Sequence, residues 1–467
     1  MSSSSNRRLL SEVADAALST QLYYHIWHFQ AHLLLAKCYK GLSDLKTAIS
    51  CCNSAIEQNS KWKEPFLYRS ACFQALHVAF LETEGDTKDN IERDRAQADI
   101  IVDTSREPTD VSRYKEEEAK RRLLRKNKEK VPIYVNKLDE ALRLAENGQK
   151  IFIEAGVYTV SAGQGNDFSS FYVFGKNLSL IGASTKDCIL LYKKESETDS
   201  APSGPKLETF LICAGAGDPT LVKRLTFRND NSCSVKTKFF GVGGGHVQLE
   251  DCLFDGVTSS EVDAVYANSA ICGSLAHSYP PPRVSIRFCI FDHCQSYGTA
   301  TFSRSCGSLS SSYFINCGRT AVTAMDAAKV SVFNCDFGQT ELTETVVSCT
   351  GSDVTVSGCY LQGIQVGQVE ALTSQAVAVS LKSVARIENN YIYKTGTGIS
   401  IHNSDANCHK NLIYSCSRRY SQNTDTTLGL YSGLAVRGPG KVALGDNLVK
   451  QCDVGVHIAD NSNPAIR

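Results

Sequence analysis

A short unit recurs through the second half of this 467-residue chain, and it constrains the fold more than any other feature. Each unit has an alternating strand, then a Cys, Ser or Asn, then a large apolar anchor two residues later, as in VTVSGCYL with Cys359 and Leu361. The anchors are Phe254, Phe291, Phe314, Phe337, Leu361, Ile392, Ile413 and Val449. Three consecutive intervals between them are 23, 23 and 24 residues. Repeats of this length built from short strands predict a solenoid in which each coil covers the next, with Cys359 at a corner.

Other repeat folds fit this unit less well. A leucine-rich repeat has a similar length, but its fixed leucines and helical return are missing. A propeller blade needs about 40 residues and four strands. A parallel β-helix is therefore the predicted architecture for residues 131–467.

A second ladder of cysteines supports the same register. Cys294, Cys317, Cys416 and Cys452 each follow an anchor by three residues. Free thiols behave as small apolar groups that suit a tight corner, so all four are expected to be buried. The chain has 19 cysteines but no C-x-x-C pair, so neither a disulfide framework nor a metal site is predicted.

The first part of the chain has helical spacing instead. Leu35, Ala36, Tyr39, Ala48 and Cys52 recur at helical intervals that are interrupted between positions 41 and 44, which predicts a helical hairpin. The spacing is similar to that of the tetratricopeptide repeat, and a second, partial unit starts at EPFLYRSACFQAL. An ordinary helical hairpin is the alternative.

Three domains are predicted from these changes of period. They are a helical, tetratricopeptide-like region (1–104), a charged helical linker (105–130) and a β-helix (131–467) that begins with a capping helix at 138–146. Because the linker is rich in charge and poor in apolar residues, a fragment starting near Val131 is expected to fold alone.

The segment KIFIEAGVYTV and the later NLSLIG resemble the first coils of a right-handed parallel β-helix of the pectin-lyase-like superfamily. The superfamily includes polysaccharide enzymes, and two segments of this chain are similar to motifs of those enzymes. SQAVAVS, with Gln375, resembles a pectin methylesterase element, and NTD at 423–425 resembles a polygalacturonase motif. The Asp and Arg elements that must accompany each motif are missing from this chain. We therefore expect no catalytic residues, no cofactor and no enzyme activity.

Within the superfamily, helices followed by a charged linker and a β-helix without catalytic motifs resemble the Shc-binding and Nessun dorma family. The corners ENNYI and HKNLI contribute to this resemblance. It implies a non-enzymatic scaffold that binds protein partners in cytokinesis or in spindle or cytoskeletal organisation. A carbohydrate-binding or carbohydrate-processing β-helix is the alternative.

Candidate partner-binding residues follow from position and chemistry. In a tetratricopeptide groove, Leu33, Lys37 and Lys40 would face inward, and the two lysines suit an acidic peptide. Arg418, Arg419 and Tyr420 lie in one of three insertions between coils (195–206, 258–283 and 417–432), and loops on rigid scaffolds often carry function.

Charge and hydropathy limit the remaining classes. Lys plus Arg equals Asp plus Glu at 49 each, so no net field favours nucleic acid or an anionic membrane. The N-terminal segment lacks the apolar core of a signal peptide, and no run is long enough to predict a membrane span. A cytoplasmic location is expected.

Overall fold

The computed structural model describes most of the chain. The described residues are 28–82, 88–105, 132–160, 171–192, 210–230, 237–256, 262–268, 278–294, 298–338, 345–363, 375–417 and 431–466. They form two compact units. Unit I contains residues 1–78 and 308–467, and unit II contains residues 79–307.

Five helices occur among the described residues. They are α1 (His28–Gly41), α2 (Leu45–Gln58), α3 (Glu64–Glu82), α4 (Lys88–Ala96) and α5 (Leu138–Leu144). The predicted hairpin is present as α1 and α2. Asp44 begins α2 as its N-cap, because its carboxylate accepts the backbone N–H of Thr47 at 3.1 Å. Whether the hairpin is of the tetratricopeptide type stays a prediction.

Five coils of unit II each contribute one strand to each of three parallel sheets, named A, B and C, and two further strands extend sheet A. Sheet A has the order β2-β1-β3-β6-β9-β12-β15, sheet B contains β4, β7, β10, β13 and β16, and sheet C contains β5, β8, β11, β14 and β17. The bounds are β1 (Ile100–Val102), β2 (Ile133–Val135), β3 (Lys150–Ile153), β4 (Gly156–Val160), β5 (Phe171–Phe174), β6 (Ser179–Gly182), β7 (Cys188–Tyr192), β8 (Phe210–Cys213), β9 (Thr220–Lys223), β10 (Thr226–Asn229), β11 (Thr237–Gly244), β12 (His246–Glu250), β13 (Leu253–Asp255), β14 (Val262–Ala267), β15 (Arg283–Arg287), β16 (Ile290–Asp292) and β17 (Ala300–Ser303).

Unit I repeats the three-sheet pattern. Its sheet A contains β18, β21, β24, β27, β30, β33 and β36; its sheet B contains β19, β22, β25, β28, β31 and β34; its sheet C contains β20, β23, β26, β29, β32 and β35. The bounds are β18 (Cys306–Ser310), β19 (Tyr313–Ile315), β20 (Thr320–Met325), β21 (Lys329–Phe333), β22 (Asp336–Phe337), β23 (Thr345–Thr350), β24 (Asp353–Ser357), β25 (Tyr360–Gln362), β26 (Gln375–Ser380), β27 (Val384–Glu388), β28 (Tyr391–Tyr393), β29 (Thr397–His402), β30 (Asp405–His409), β31 (Leu412–Tyr414), β32 (Ser432–Arg437), β33 (Val442–Gly445), β34 (Leu448–Lys450), β35 (Val454–Ala459) and β36 (Ala465–Ile466). This is a parallel β-helix, as the sequence predicted.

The apolar anchors of the repeat are register partners in sheet B. Phe314 pairs with Phe337, Phe337 with Leu361, and Leu361 with Ile392. Cys359 lies at the predicted corner between β24 and β25, directly after Gly358, whose φ of +65° is a left-handed conformation. The repeat in the sequence therefore reflects the stacking of equivalent positions in successive coils.

In the last coils of unit I, asparagines occupy the corner and form a hydrogen-bonded ladder. The side-chain amide of Asn390 donates to Asn411 Oδ1 at 3.0 Å, and that of Asn411 donates to Asn447 Oδ1 at 2.9 Å. Asn390 and Asn411 also donate to the carbonyls of Val356 and Ile387. These bonds satisfy buried amides that would otherwise destabilise the core.

The second cysteine ladder is buried in part. Cys294, Cys317 and Cys416 have almost no exposed surface, as predicted, whereas Cys452 is half-buried. The backbone N–H of Cys416 donates to the sulfur of Cys452 at 3.4 Å. Hydrogen bonding to Cys416 lowers the pKa of Cys452 to about 7.

The start of the β-helix differs from the predicted boundaries. Strand β1 lies within the range 1–104 that was assigned to helices, and it pairs with both β2 and β3 in sheet A. The structure begins this sheet before the charged segment, of which only residue 105 is described. Helix α5 lies where the capping helix was predicted and packs against β1, β2 and β5. A fragment starting at Val131 would therefore lack β1, which lies between β2 and β3 in sheet A.

Candidate protein-interaction surface

In unit I, helices α2 and α3 pack on the outward face of sheet B. Ile56 of α2 and Phe66 of α3 are fully buried in one cluster with Tyr360, Tyr391 and Leu412. The ring centroids of Phe66 and Tyr391 are 5.7 Å apart. Strand alternation explains this contact, since the anchors at 361 and 392 face the core and the preceding tyrosines face outward. The outward tyrosines thus have an apolar cover within the chain itself.

The same contact continues farther along α3 through a buried arginine. Arg69 has no exposed surface, and its guanidinium donates to Asn53 Oδ1 at 2.8 Å and to the Cys335 carbonyl at 3.3 Å. The Asn53 amide in turn donates to Ser311 Oγ at 3.2 Å. Hydrogen bonds from a buried charged group contribute more than neutral ones. These bonds fix the helices on the sheet in one position.

Asp336 lies beside this network on β22, and its carboxylate is completely buried. Neither oxygen accepts a hydrogen bond of ordinary geometry from the described part of the chain. Burial raises the pKa of Asp336 to about 7, although the charge of Arg69 and the hydroxyl of Ser70 both lower it. The carboxylate is therefore incompletely compensated at the centre of the helix–sheet contact.

The opposite side of the helices is exposed and carries the predicted lysines. Lys37 is exposed on α1. Lys40 is partly buried, donates to the carbonyl of Ala71 on α3 at 3.5 Å, and lies 5.2 Å from the centre of the Tyr68 ring. Leu33, in contrast, is buried with Ala36 and Cys52 and packs within the hairpin, so it does not line an open groove as predicted.

Other predicted residues lie outside the described ranges. Arg418, Arg419 and Tyr420 are among them, and so are 195–206, the NTD segment and parts of the other two insertions. Gln375 begins strand β26, as a strand interpretation of SQAVAVS requires. That residues 418–420 contact a partner stays a prediction.

Sequence reasoning missed the apolar residues on the exposed side of α3. Leu67, Val78 and Leu81 all project from this helix with more than two fifths of their surface exposed. The signal was available, because EPFLYRSACFQALHVAFLE has apolar residues on every side of a helix instead of on one face. The repeat pattern alone predicts only a partial repeat unit for this segment.

Unit II contains a separate group of charged side chains on sheet B. Arg228 and Asp255 form an ion pair at 2.9 Å, and His293 Nδ1 lies 2.7 Å from Asp292. Asp255 and Asp292 are register partners on β13 and β16, so the two carboxylates are neighbours. Both have a cationic or titratable partner. Among the described residues, no group of three or more His, Cys, Asp or Glu side chains is placed to hold a metal ion.

Comparisons with known proteins add little to this description. No family model and no curated protein matches the chain. A search of solved structures found the A-module of a mannuronan C-5 epimerase from Azotobacter vinelandii, with 12% identity, a TM-score of 0.21, and coverage of 70% of this chain and 91% of that chain. A similarity this low carries no functional argument, and the fold assignment rests on the parallel sheets themselves. No helix in the described ranges is both long and apolar enough to cross a membrane.

Proposed function

We propose that this protein is a non-enzymatic interaction scaffold in which the β-helix is a stiff support and helices α1 to α3 present the partner-binding surface. One observation carries the proposal: α3 is anchored to sheet B by buried residues such as Phe66 and Arg69, while its other side exposes apolar residues close to Ala71, whose carbonyl accepts from Lys40 of α1. A surface that is held rigidly loses less entropy on binding than a mobile one.

The anchoring also argues against a polymer-binding cleft at this place. Aromatic side chains along a sheet could stack on sugar rings, and sheet B of unit I has two pairs of register partners that are tyrosines, Tyr360 with Tyr391 and Tyr393 with Tyr414. Two of them, Tyr360 and Tyr391, are already covered by Ile56 and Phe66. A protein partner of the helices fits this arrangement better than a saccharide on the sheet.

Affinity purification of the full-length chain tests the proposal. We expect Lys37→Glu to reduce the recovery of specific partners, while the control Lys329→Glu, at an exposed lysine on β21, leaves recovery unchanged. Both variants should unfold at the same temperature as the wild type, because exposed substitutions of this kind change stability little. Equal recovery with all three proteins would contradict the proposal.

The finer assignment rests on the resemblance to the Shc-binding and Nessun dorma family. We propose a cytoplasmic protein that associates with the spindle or cytoskeleton during division. A tagged chain imaged through mitosis should concentrate on spindle or midzone microtubules, and a uniform signal at all stages would argue against this assignment.

The neighbouring carboxylates of unit II favour a second candidate, a carbohydrate-binding or carbohydrate-processing site. Paired carboxylates are the usual groups for acid–base chemistry on glycosides, and here Asp255 and Asp292 lie beside Arg228 and His293. A glycan array and a depolymerisation assay with wild type and Asp292→Asn would decide. Binding or turnover that is lost in the variant would favour this candidate over the scaffold.

A further inference from the structure

The exposed side of α3 carries a row of mainly apolar residues with one glutamine among them, and this row is called the stripe. Within unit I the stripe comprises Leu67, Ala71, Gln74 and Val78, which follow one another at intervals of four, three and four residues. This spacing places them on one side of the helix and is the spacing at which two helices pack along each other. The exposed fractions are 42% for Leu67 and 49% for Val78.

The other side of α3 is already used. Phe66, Phe73, Leu76 and Phe80 are buried, so this helix is apolar on two opposite sides. A surface helix normally has one apolar side, and a helix that is apolar all round is normally covered all round. The stripe therefore has the composition of a covered surface, which marks it as an interaction site.

The charges beside the stripe indicate which kind of helix would cover it. Lys40 contacts the backbone of Ala71 near the middle of the stripe, and Lys37 is exposed one turn earlier on α1. No Asp or Glu occurs in α3 between Pro65 and Leu81 or anywhere in α1. A second copy of the chain, packed through the same stripe, would bring no carboxylate to the middle of the contact.

We infer that the stripe on α3 binds an amphipathic helix of a partner protein, with apolar residues at heptad spacing and acidic residues on the flank that faces Lys37 and Lys40. The inference rests on the proposed scaffold function and specifies its partner. Apolar burial along the stripe supplies the affinity, and the lysines determine orientation and select acidic over basic helices.

Fluorescence anisotropy with a labelled 21-residue peptide tests this inference on the full-length protein. The peptide has three heptads with Leu at the two core positions and Glu at the flanking positions, and a second peptide has Lys in place of Glu. The acidic peptide should bind about tenfold more tightly than the basic one. Val78→Glu should weaken its binding about tenfold, since a buried valine contributes about as much free energy as a tenfold change in Kd.

Two further variants separate charge from apolar contact. Lys37→Glu should weaken the acidic peptide about threefold and strengthen the basic one, as expected for an exposed charge pair. Leu381→Glu is the matched control, because Leu381 is 63% exposed elsewhere in unit I and should leave binding unchanged. Circular dichroism of each variant should match the wild type.

Several results would overturn the inference. The first is that neither peptide binds. The second is that Val78→Glu leaves the affinity for the acidic peptide unchanged. The third is that sedimentation velocity shows a dimer of the wild type that becomes a monomer in Val78→Glu. If the full-length chain still recovers partners in affinity purification and Val78→Glu does not reduce that recovery, the scaffold proposal is retained and the stripe is rejected as its binding site.

Discussion

Replacing Asp336 by asparagine should make the protein more stable at neutral and alkaline pH and leave it unchanged in mild acid. The carboxylate is completely buried beside Arg69, and burial raises its pKa from 3.8 to about 7. The unfolded chain ionises near the ordinary value. Between pH 4 and 7 the folded state therefore holds a proton that the unfolded state has released.

The sign and the size follow from this difference. Because the folded state binds the extra proton, the free energy of unfolding falls as pH rises from about 4 to about 7. Above pH 7 the buried carboxylate is ionised, and the whole of this decrease is present. At about 1.4 kcal/mol per pKa unit, the rise from 3.8 to about 7 corresponds to about 4 kcal/mol. An amide has nearly the same shape as the protonated acid and never ionises. Asp336→Asn should thus gain up to about 4 kcal/mol at pH 8 and almost nothing at pH 4.

Urea unfolding at pH 4, 6 and 8 measures the effect directly. Trp62 packs against the cluster of Leu33, Ala36 and Cys52, so its fluorescence reports on the helices that cover Asp336. A Trp27→Phe background makes Trp62 the single tryptophan. Asp353→Asn is the matched control, because Asp353 is an exposed aspartate on strand β24 in sheet A of the same unit.

The reasoning would be wrong if Asp336→Asn were less stable than the wild type at pH 8. That result would mean that the ionised carboxylate gains more from the Arg69 guanidinium than it loses by burial. An unchanged pH dependence in the variant would also contradict it, since another group would then carry the proton.

The remaining predictions concern the core, the thiols and the first coils. Phe314→Ala should cost about 3–5 kcal/mol in urea unfolding, because Phe314 is buried and stacks on Phe337 at 4.8 Å, whereas Phe333→Ala, at a residue 37% exposed, should cost much less. Cys452 should react with iodoacetamide in the folded protein at a rate that rises up to about pH 7 and then levels off, as peptide mapping would show, and a Cys452 that stays unlabelled until unfolding would refute its lowered pKa. A fragment starting at Val131 should elute as aggregates in size-exclusion chromatography, because it lacks β1 and the helices that cover sheet B; a monomeric β-rich fragment would show that neither is required.

The sequence by itself determined the coil and its register. Each coil must place an inward apolar residue on the one before it, so the positions of Phe314, Phe337 and Leu361 repeat along the chain and can be aligned without a structure. The corner at Cys359 follows from the same alignment, because Cys, Ser or Asn recurs two residues before the apolar anchor of each coil. The hairpin of α1 and α2 was also readable, since its contacts are local.

Tertiary structure alone decided what covers the coils. Arg69 and Cys335 are 266 residues apart, and nothing in the periodicity of either segment indicates that a helix contacts this sheet. The alternation of residues in β25 and β28 distinguishes inward from outward side chains. It does not show whether the outward side chains of Tyr360 and Tyr391 face water or a packed helix, because the alternation is the same in both cases. Strand β1 has only three residues next to a helix, and its partner β3 lies beyond a charged segment. Contacts of this kind depend on packing between distant segments with different periods, so they leave no repeat in the sequence from which they could be predicted.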